Sequence, residues 1–289
     1  MKIRVYIIHS FAKTKDGGNP AGVVLESDNL SEKEMQHIAN KVGFSETAFV
    51  QKSERASFRV RFFTPNGEVD LCGHATIAVF SLLAYQKKIT TGEYTQETKA
   101  GILKVECRTD GTVFMSQSFP EFYEIIDKNE IAASLNIDVN MIAGNLPVQI
   151  VSTGVRDIFI PVNTIETLCS IQPNFEAVKE ISKRYNVIGY HVFTKETKFN
   201  STAHCRNFAP LYDIPEESAT GTSNGALSCY LYKYRVITEQ ELSKVIFEQG
   251  YSMGKPSEIF GSLYIDNGII KEVKVGGNAL YIGESEFEI

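Results

Sequence analysis

Two segments half a chain apart are built alike. Arg61-Phe62-Phe63-Thr64-Pro65 and Arg206-Asn207-Phe208-Ala209-Pro210 each read as a strand that stops at a proline. Each leads through a loop to a glycine that opens a helix rich in small residues. The first helix begins Cys72-Gly73-His74-Ala75-Thr76-Ile77-Ala78 and the second Thr220-Gly221-Thr222-Ser223-Asn224-Gly225-Ala226. Residues 61 and 206 lie 145 positions apart and residues 73 and 221 lie 148 apart, close to half of the 289 residues. Two landmarks in the same order at nearly one offset predict two copies of one unit. A helix N-terminus presents unpaired N–H groups and partial positive charge. A glycine there lets a ligand approach the backbone closely. Two such helix starts facing one cleft predict a trap for a small anionic substrate held between two lobes.

The texture around these landmarks is short strands with a few helices between them. Residues 4–8, 21–25, 47–51 and 58–63 read as strands in the first half, and 103–107 with 113–117 as a hairpin around Asp110-Gly111. Ser31 and Glu34 match a capping box, followed by Met35, Ile38, Ala39 and Val42 at helical spacing. Residues 74–88 are apolar on most sides and end in lysines, which predicts a buried helix with a cationic C-terminus. In the second half 148–152, 159–162, 191–194 and 203–208 read as strands, 175–184 and 222–234 as helices, and 262–265 with 269–275 as a hairpin.

Composition excludes several classes. A net charge of −6 without a Lys/Arg-rich run argues against nucleic-acid binding, which depends on neutralising phosphates. No apolar run approaches the roughly 20 residues that span a bilayer. The opening residues are too short an apolar run for a signal peptide, so a cytoplasmic protein without membrane attachment is expected. Five cysteines without a CxxC pair fit reduced thiols. The histidines and cysteines show no metal-ligand spacing, no GxGxxG occurs, and Gly250–Lys255 has the wrong spacing for a phosphate loop. Neither metal nor cofactor is expected.

The chain also resembles a known family. The runs Asn19-Pro20-Ala21-Gly22-Val23-Val24, Ser45-Glu46-Thr47-Ala48-Phe49, Arg61 to Pro65, Leu71-Cys72-Gly73-His74-Ala75-Thr76, Arg206 to Pro210 and Ala219-Thr220-Gly221-Thr222 resemble, in that order, the PhzF-like phenazine-biosynthesis isomerases. Later runs, Gln249 to Ser257 and Val275-Gly276-Gly277-Asn278-Ala279, resemble them too. The resemblance implies an α+β fold shared with diaminopimelate epimerases and proline racemases. That fold has two pseudo-symmetric halves, each a curved, mostly antiparallel sheet wrapped around a central helix. Lobes at 1–117 with 276–289 and at 118–275 are expected, with the change near residues 118–120. The resemblance further implies a cofactor-independent proton shift on a small carboxylate-bearing molecule, a cyclic amino or hydroxy acid among the candidates, by a homodimer. It maps the family's glutamate onto Glu46 and its histidine onto His74. The family's Asp-Pro-Ala-Thr-Gly-Ser run falls on residues 217–222, where Glu217, Ser218 and Thr222 differ from the usual Asp, Pro and Ser.

The candidate site follows. A carboxylate in a partly desolvated cleft has a raised pKa and can both take and return a proton, which suits Glu46. His74 at a helix start is expected to be a neutral imidazole, since the positive helix end disfavours the cation. Glu217 would assist, and Asn19, Gly73, Thr220, Gly221 and Thr222 would bind substrate. His9, His37, His191 and His204 lack a partner pattern and read as structural. Racemases of this fold use two thiols, each preceding one of the two glycines. Cys72 stands at the first position and Thr220 at the second, so Cys72 reads as a buried small residue. Two rival functions remain: an amino-acid racemase or epimerase, and a non-catalytic small-molecule-binding protein on the same fold.

Overall fold

The computed structural model describes residues 2–243 and 245–288. Contacts divide the chain into two compact units, Met1–Ser116 with Gly276–Ile289, and Gln117–Val275. Alternating buried and exposed side chains open the first unit in β1 (Lys2–Ser10). There follow β2 (Asn19–Val24), α1 (Glu32–Val42), β3 (Glu46–Gln51), β4 (Phe58–Phe63), β5 (Glu68–Val69), α2 (Gly73–Tyr85), β6 (Gly92–Thr98), β7 (Gly101–Cys107) and β8 (Val113–Ser116). The capping box at α1 forms as expected, Ser31 and Glu34 satisfying each other's backbone N–H, and Gly43 closes the helix in the left-handed region.

The second unit contains β9 (Glu121–Ile125), α3 (Lys128–Leu135), β10 (Gln149–Ser152), β11 (Arg156–Pro161), α4 (Ile165–Ser170), α5 (Phe175–Tyr185), β12 (Gly189–Thr194), β13 (Ala203–Ala209), β14 (Ile214–Glu217), α6 (Gly221–Lys233), β15 (Val245–Gln249) and β16 (Ser257–Asp266). β17 (Ile269–Gly277) ends at the boundary, and β18 (Ala279–Glu288) belongs to the first unit. Asn267 and Gly268 join β16 to β17 with φ of 51° and 76°, the positive pair that a two-residue hairpin turn requires.

The repeat seen in two landmarks extends through the whole ladder. In the first unit β1–β2 is antiparallel, β2–β3 parallel, β3–β4 and β4–β5 antiparallel, β4–β6 parallel and β6–β7 antiparallel. In the second, β10–β11, β11–β12, β12–β13, β13–β14, β13–β15 and β15–β16 repeat the same polarities in the same order. The edge strand on β1 is β18, from the end of the chain, and the edge strand on β10 is β9, which precedes it. The sheets are thus mixed but mostly antiparallel, the α+β architecture expected. Among the described residues no helix is long and apolar enough to cross a membrane.

Each unit wraps its sheet around one helix. α2 is buried on nearly every face, from His74 to Phe80 and at Leu82 and Leu83, and packs on β1, β2, β3, β7, β8 and β18. α6 is buried from Ser223 to Leu231 against β10, β11 and β16. A helix apolar all round is stable only in such a setting. Small residues set the approach: a β-carbon at Gly261 would lie 2.1 Å from Ser228 Oγ, so a larger residue there would displace that hydroxyl, which donates to the Asn224 carbonyl. The cationic end expected for α2 does not form. The helix stops at Tyr85 without a basic residue in its last turn, because Lys87 turns left-handed (φ 58°). Lys87 N–H and Lys88 N–H then return to the carbonyls of Ala84 and Leu83. α6 ends identically at Arg235 (φ 56°), whose N–H and that of Val236 return to Tyr232 and Leu231. Because side chains resist this conformation, Arg235→Gly should raise the urea midpoint, stabilising the fold by about 0.5–1 kcal/mol. A fall would mean the arginine side chain itself holds the turn.

The repeated arginines are structural. Arg61 on β4 binds Glu68 on β5 through Nε and Nη2, each at 2.7 Å. Arg206 on β13 grips Glu216 on β14 in the same way at 2.9 and 2.8 Å, and its Nη1 donates to the carbonyls of Leu168 and Ile171. Each guanidinium also lies over the phenylalanine two residues on, Phe63 or Phe208. Arg61 holds the Glu68 carboxyl below the usual carboxylate range. These forks fix the strand ends from which α2 and α6 begin.

Candidate active site

Four strand and helix ends of the first unit converge on His74. Glu46 is the first residue of β3, paired in parallel with Ala21 of β2. Asn19 opens β2, and Cys72 caps α2 with extended backbone (φ −139°, ψ 119°). Because each residue sits at the end of an element, the ladder fixes its Cα while its side chain stays at the edge of the core. Glu46 Oε2 lies 3.3 Å from His74 Nε2, and Ser45 Oγ 3.5 Å from the same atom. Cys72 Sγ and Asn19 Nδ2 approach His74 Nδ1 at 3.3 and 3.4 Å. Ser10 Oγ donates to the His74 carbonyl at 2.6 Å, and the Pro20 carbonyl accepts from the ring.

Burial decides the charge of this imidazole. Desolvation pushes the His74 pKa down, against the opposing pull of the Glu46 carboxylate and the Pro20 carbonyl. A neutral ring is therefore present at neutral pH, as the sequence led us to expect, with burial rather than the helix end as the leading cause. Glu46 is 19% exposed, yet its Oε2 is buried and makes no hydrogen bond among the described residues, since its short approach to His74 lacks hydrogen-bond geometry.

Gly73 opens α2, and the first helical bond runs from Thr76 N–H to the Cys72 carbonyl. The N–H groups of Gly73, His74 and Ala75 precede that ladder. A β-carbon at Gly73 would meet only Met115 Sδ, at an ordinary 3.5 Å. Packing against the described residues does not demand the glycine.

The second unit builds its equivalent helix start from a buried relay. Asn207 Nδ2 donates to His191 Nδ1 at 3.2 Å, and His191 Nε2 donates to Asn224 Oδ1 at 3.3 Å. Asn224 Nδ2 donates to Gln249 Oε1 at 2.8 Å. Gln249 Nε2 donates to the Glu217 carbonyl and to Thr220 Oγ1, which donates to Glu217 Oε2 at 2.6 Å. Glu217 and Thr220, both singled out in the sequence, therefore touch, and the Thr220 hydroxyl lies between Gln249 and Glu217. Thr222 is half-buried and Gly221 buried, with the Thr222 carbonyl taking the Thr153 hydroxyl. Thr220 makes no side-chain cap to α6.

His191 and His204 have partners that no spacing announced. His204 Nδ1 meets the fully buried Glu248 carboxylate at 2.7 Å, and Glu248 also accepts the backbone N–H groups of Lys198 and Phe199. Cys72 is buried, as expected, but it touches His74 rather than merely filling space. Glu46, Cys72 and His74, which no spacing in the sequence grouped, bring one nitrogen, oxygen or sulfur atom each within 4.8 Å of one another. Asp157, Asn207 and Gln249 carried no signal in the sequence, because their partners lie on strands and helices remote in the chain.

Two buried groups in the second unit titrate in opposite senses. Burial pushes Asp157 up to about 6, although Ser223 Oγ and Gly189 N–H favour its charged form. Burial pushes His191 down to about 3. Between about pH 4 and 6 the native state keeps a proton on Asp157 that the unfolded chain releases, so Asp157 favours folding more as pH falls. His191 does the reverse, since the unfolded chain takes a proton below about 6.5 that the native state refuses. Asp157→Asn removes only the first effect. Its stability relative to the parent should rise by on the order of 3 kcal/mol from pH 4 to 7, read from urea midpoints. A pH-independent difference would mean that Asp157 stays charged throughout.

Comparison with known proteins sets this geometry in context. The family model described as phenazine biosynthesis-like protein (PhzC-PhzF) matches residues 8–285. An uncharacterized isomerase of Clostridium acetobutylicum is 37% identical, covering 99% of this chain and 98% of its own. A Bacillus anthracis phenazine biosynthesis protein of the PhzF family superposes with a TM-score of 0.89 at 33% identity over the whole of both chains. A hydroxyproline epimerase of Agrobacterium vitis, 14% identical, shares the fold with a TM-score of 0.63, covering 99% of this chain and 91% of its own.

Proposed function

Since the chain belongs to the phenazine biosynthesis-like protein family, we propose that it is an isomerase that moves a proton on a small carboxylate-bearing molecule, with Glu46 taking and returning that proton. One observation carries the assignment: Glu46 Oε2 is buried, makes no hydrogen bond among the described residues, and sits 3.3 Å from an imidazole that burial keeps neutral. A base must keep a lone pair available within reach of the C–H bond, and general acid–base transfer of this kind contributes about 10²–10⁴-fold in rate. When the C–H bond breaks, negative charge spreads into the substrate. The N–H groups at the start of α2 stabilise it, and the neutral His74, whose single N–H goes to the Pro20 carbonyl, adds no positive charge beside the base. In the second unit the same reading gives Glu217 an assisting role, with Gly221 and Thr222 as helix-start donors. The isomerase names of several relatives support the reaction class.

A second reading has its own observation. Cys72 Sγ lies 3.3 Å from His74 Nδ1, and a hydroxyproline epimerase shares the fold. A racemase removes and restores a proton at one carbon, whereas the proposed isomerase delivers it to another. Proton NMR in D₂O separates the two. The purified protein would be mixed with trans-2,3-dihydro-3-hydroxyanthranilate and with a panel of cyclic amino and hydroxy acids. Deuterium appearing at a new carbon supports the isomerase; deuterium at the original stereocentre with inversion supports the racemase. Binding without any exchange would sink both and favour a binding protein.

A further inference from the structure

We propose that Glu46, Cys72 and His74 form a three-ligand site for a thiophilic divalent cation, Zn²⁺ being the best match, and that its occupation reversibly blocks Glu46. The blocking half of this statement rests on the role given to Glu46 above; the binding half does not. A carboxylate, a thiol and an imidazole converge with their ligating atoms within 4.8 Å of one another. His74 Nε2 lies 3.3 Å from Glu46 Oε2 and 3.9 Å from Cys72 Sγ. Tetrahedral zinc, with bonds of about 2.0–2.3 Å to N, O and S, places neighbouring ligands roughly 3.3–3.7 Å apart. The two edges from His74 lie within a few tenths of an ångström of coordinated values, and the edge between Glu46 and Cys72 is no longer than 4.8 Å.

Two further observations point to a cation. Glu46 Oε2 is buried without a hydrogen bond among the described residues, an orphaned anionic acceptor of the kind a cation satisfies. The Pro20 carbonyl accepts from the His74 ring, the outer contact that orients metal-binding imidazoles. The donor set selects the ion. One thiolate and one imidazole favour Zn²⁺ or Co²⁺ over Mg²⁺ or Ca²⁺, which take oxygen ligands. Three protein ligands leave a fourth position to water. An ion there would hold the Glu46 oxygen that the proposed reaction uses.

Co²⁺ tests the binding half independently of any substrate. The full chain, freed of metal with a chelator, would be titrated with Co²⁺ and followed by its near-ultraviolet thiolate-to-cobalt charge-transfer absorption. One equivalent should develop the band and one equivalent of Zn²⁺ should quench it. Cys72→Ser should lose the band, while Cys169→Ser, which removes an exposed thiol, should keep it. Glu46→Gln should retain the band at saturation but weaken Co²⁺ binding about tenfold or more, since even outer partners cost that much. Absence of the band in the parent, its persistence in a folded Cys72→Ser, or unchanged affinity in Glu46→Gln would each overturn the proposal. Exchange activity that survives saturating Zn²⁺ would overturn the blocking half alone.

Discussion

Glu46→Gln should lower kcat for proton exchange by about 10²–10⁴-fold while leaving the fold intact. The amide matches the carboxylate in shape but cannot take a proton and hand it back. The effect on stability should have the opposite sign from an ordinary active-site loss. Glu46 Oε2 is buried without a hydrogen bond among the described residues, so desolvating a charge there is a cost that the neutral amide escapes. The variant should therefore be at least as stable as the parent in urea while nearly inactive. KM should change little, because the group acts on the C–H bond rather than in anchoring the carboxylate. Exchange within tenfold of the parent would remove Glu46 from the chemistry. A large drop in stability would show that the carboxylate is part of the scaffold.

Arg206→Met should destabilise the protein by about 3–5 kcal/mol, the usual result of removing one partner from a buried ion pair. Arg206 is nearly buried, its Nη1 satisfies two carbonyls at the end of α4, and its fork satisfies Glu216. Without it Glu216 keeps, among the described residues, only the Ser252 hydroxyl as a hydrogen-bond partner. The equivalent Arg61→Met should cost less, about 1–2 kcal/mol, because Lys99 Nζ stays 2.6 Å from the Glu68 carboxylate. Urea denaturation of both variants measures the contrast. The double variant Arg206→Met/Glu216→Gln should recover part of the loss, since the uncompensated charge is then gone. Equal losses in the two single variants would mean that the forks act alike and that Lys99 contributes nothing.

The two-unit plan could be read from the sequence because it depends on local rules repeated twice. A strand ending at proline, a loop and a glycine that starts a helix carry the same signals at 61–73 and at 206–221. The capping box at Ser31 and Glu34 is likewise local, and so is the apolar face of α1. Where a local signal competed with backbone geometry it failed: the lysines after Tyr85 did not extend α2, because Lys87 had already turned left-handed.

Glu46 and His74 stood out only through resemblance, since a glutamate before a strand and a histidine after a glycine are common in any chain. Their meeting at 3.3 Å depends on β2 pairing in parallel with β3 and on α2 crossing behind both. The residues that complete the picture had no such advocate. Cys72 read as filler, and Asp157, His191, Asn207 and Gln249 gave no pattern, yet the last three form the relay that ends on Glu217.

The sequence by itself determined where elements begin and end and that one plan is used twice, because propensity, capping and hydrophobic period act over a few neighbouring residues. Only the tertiary structure decided which polar groups share a buried environment. That choice follows from sheet register and helix placement. Moving β3 by one residue would turn each of its side chains to the other face and take Glu46 away from His74.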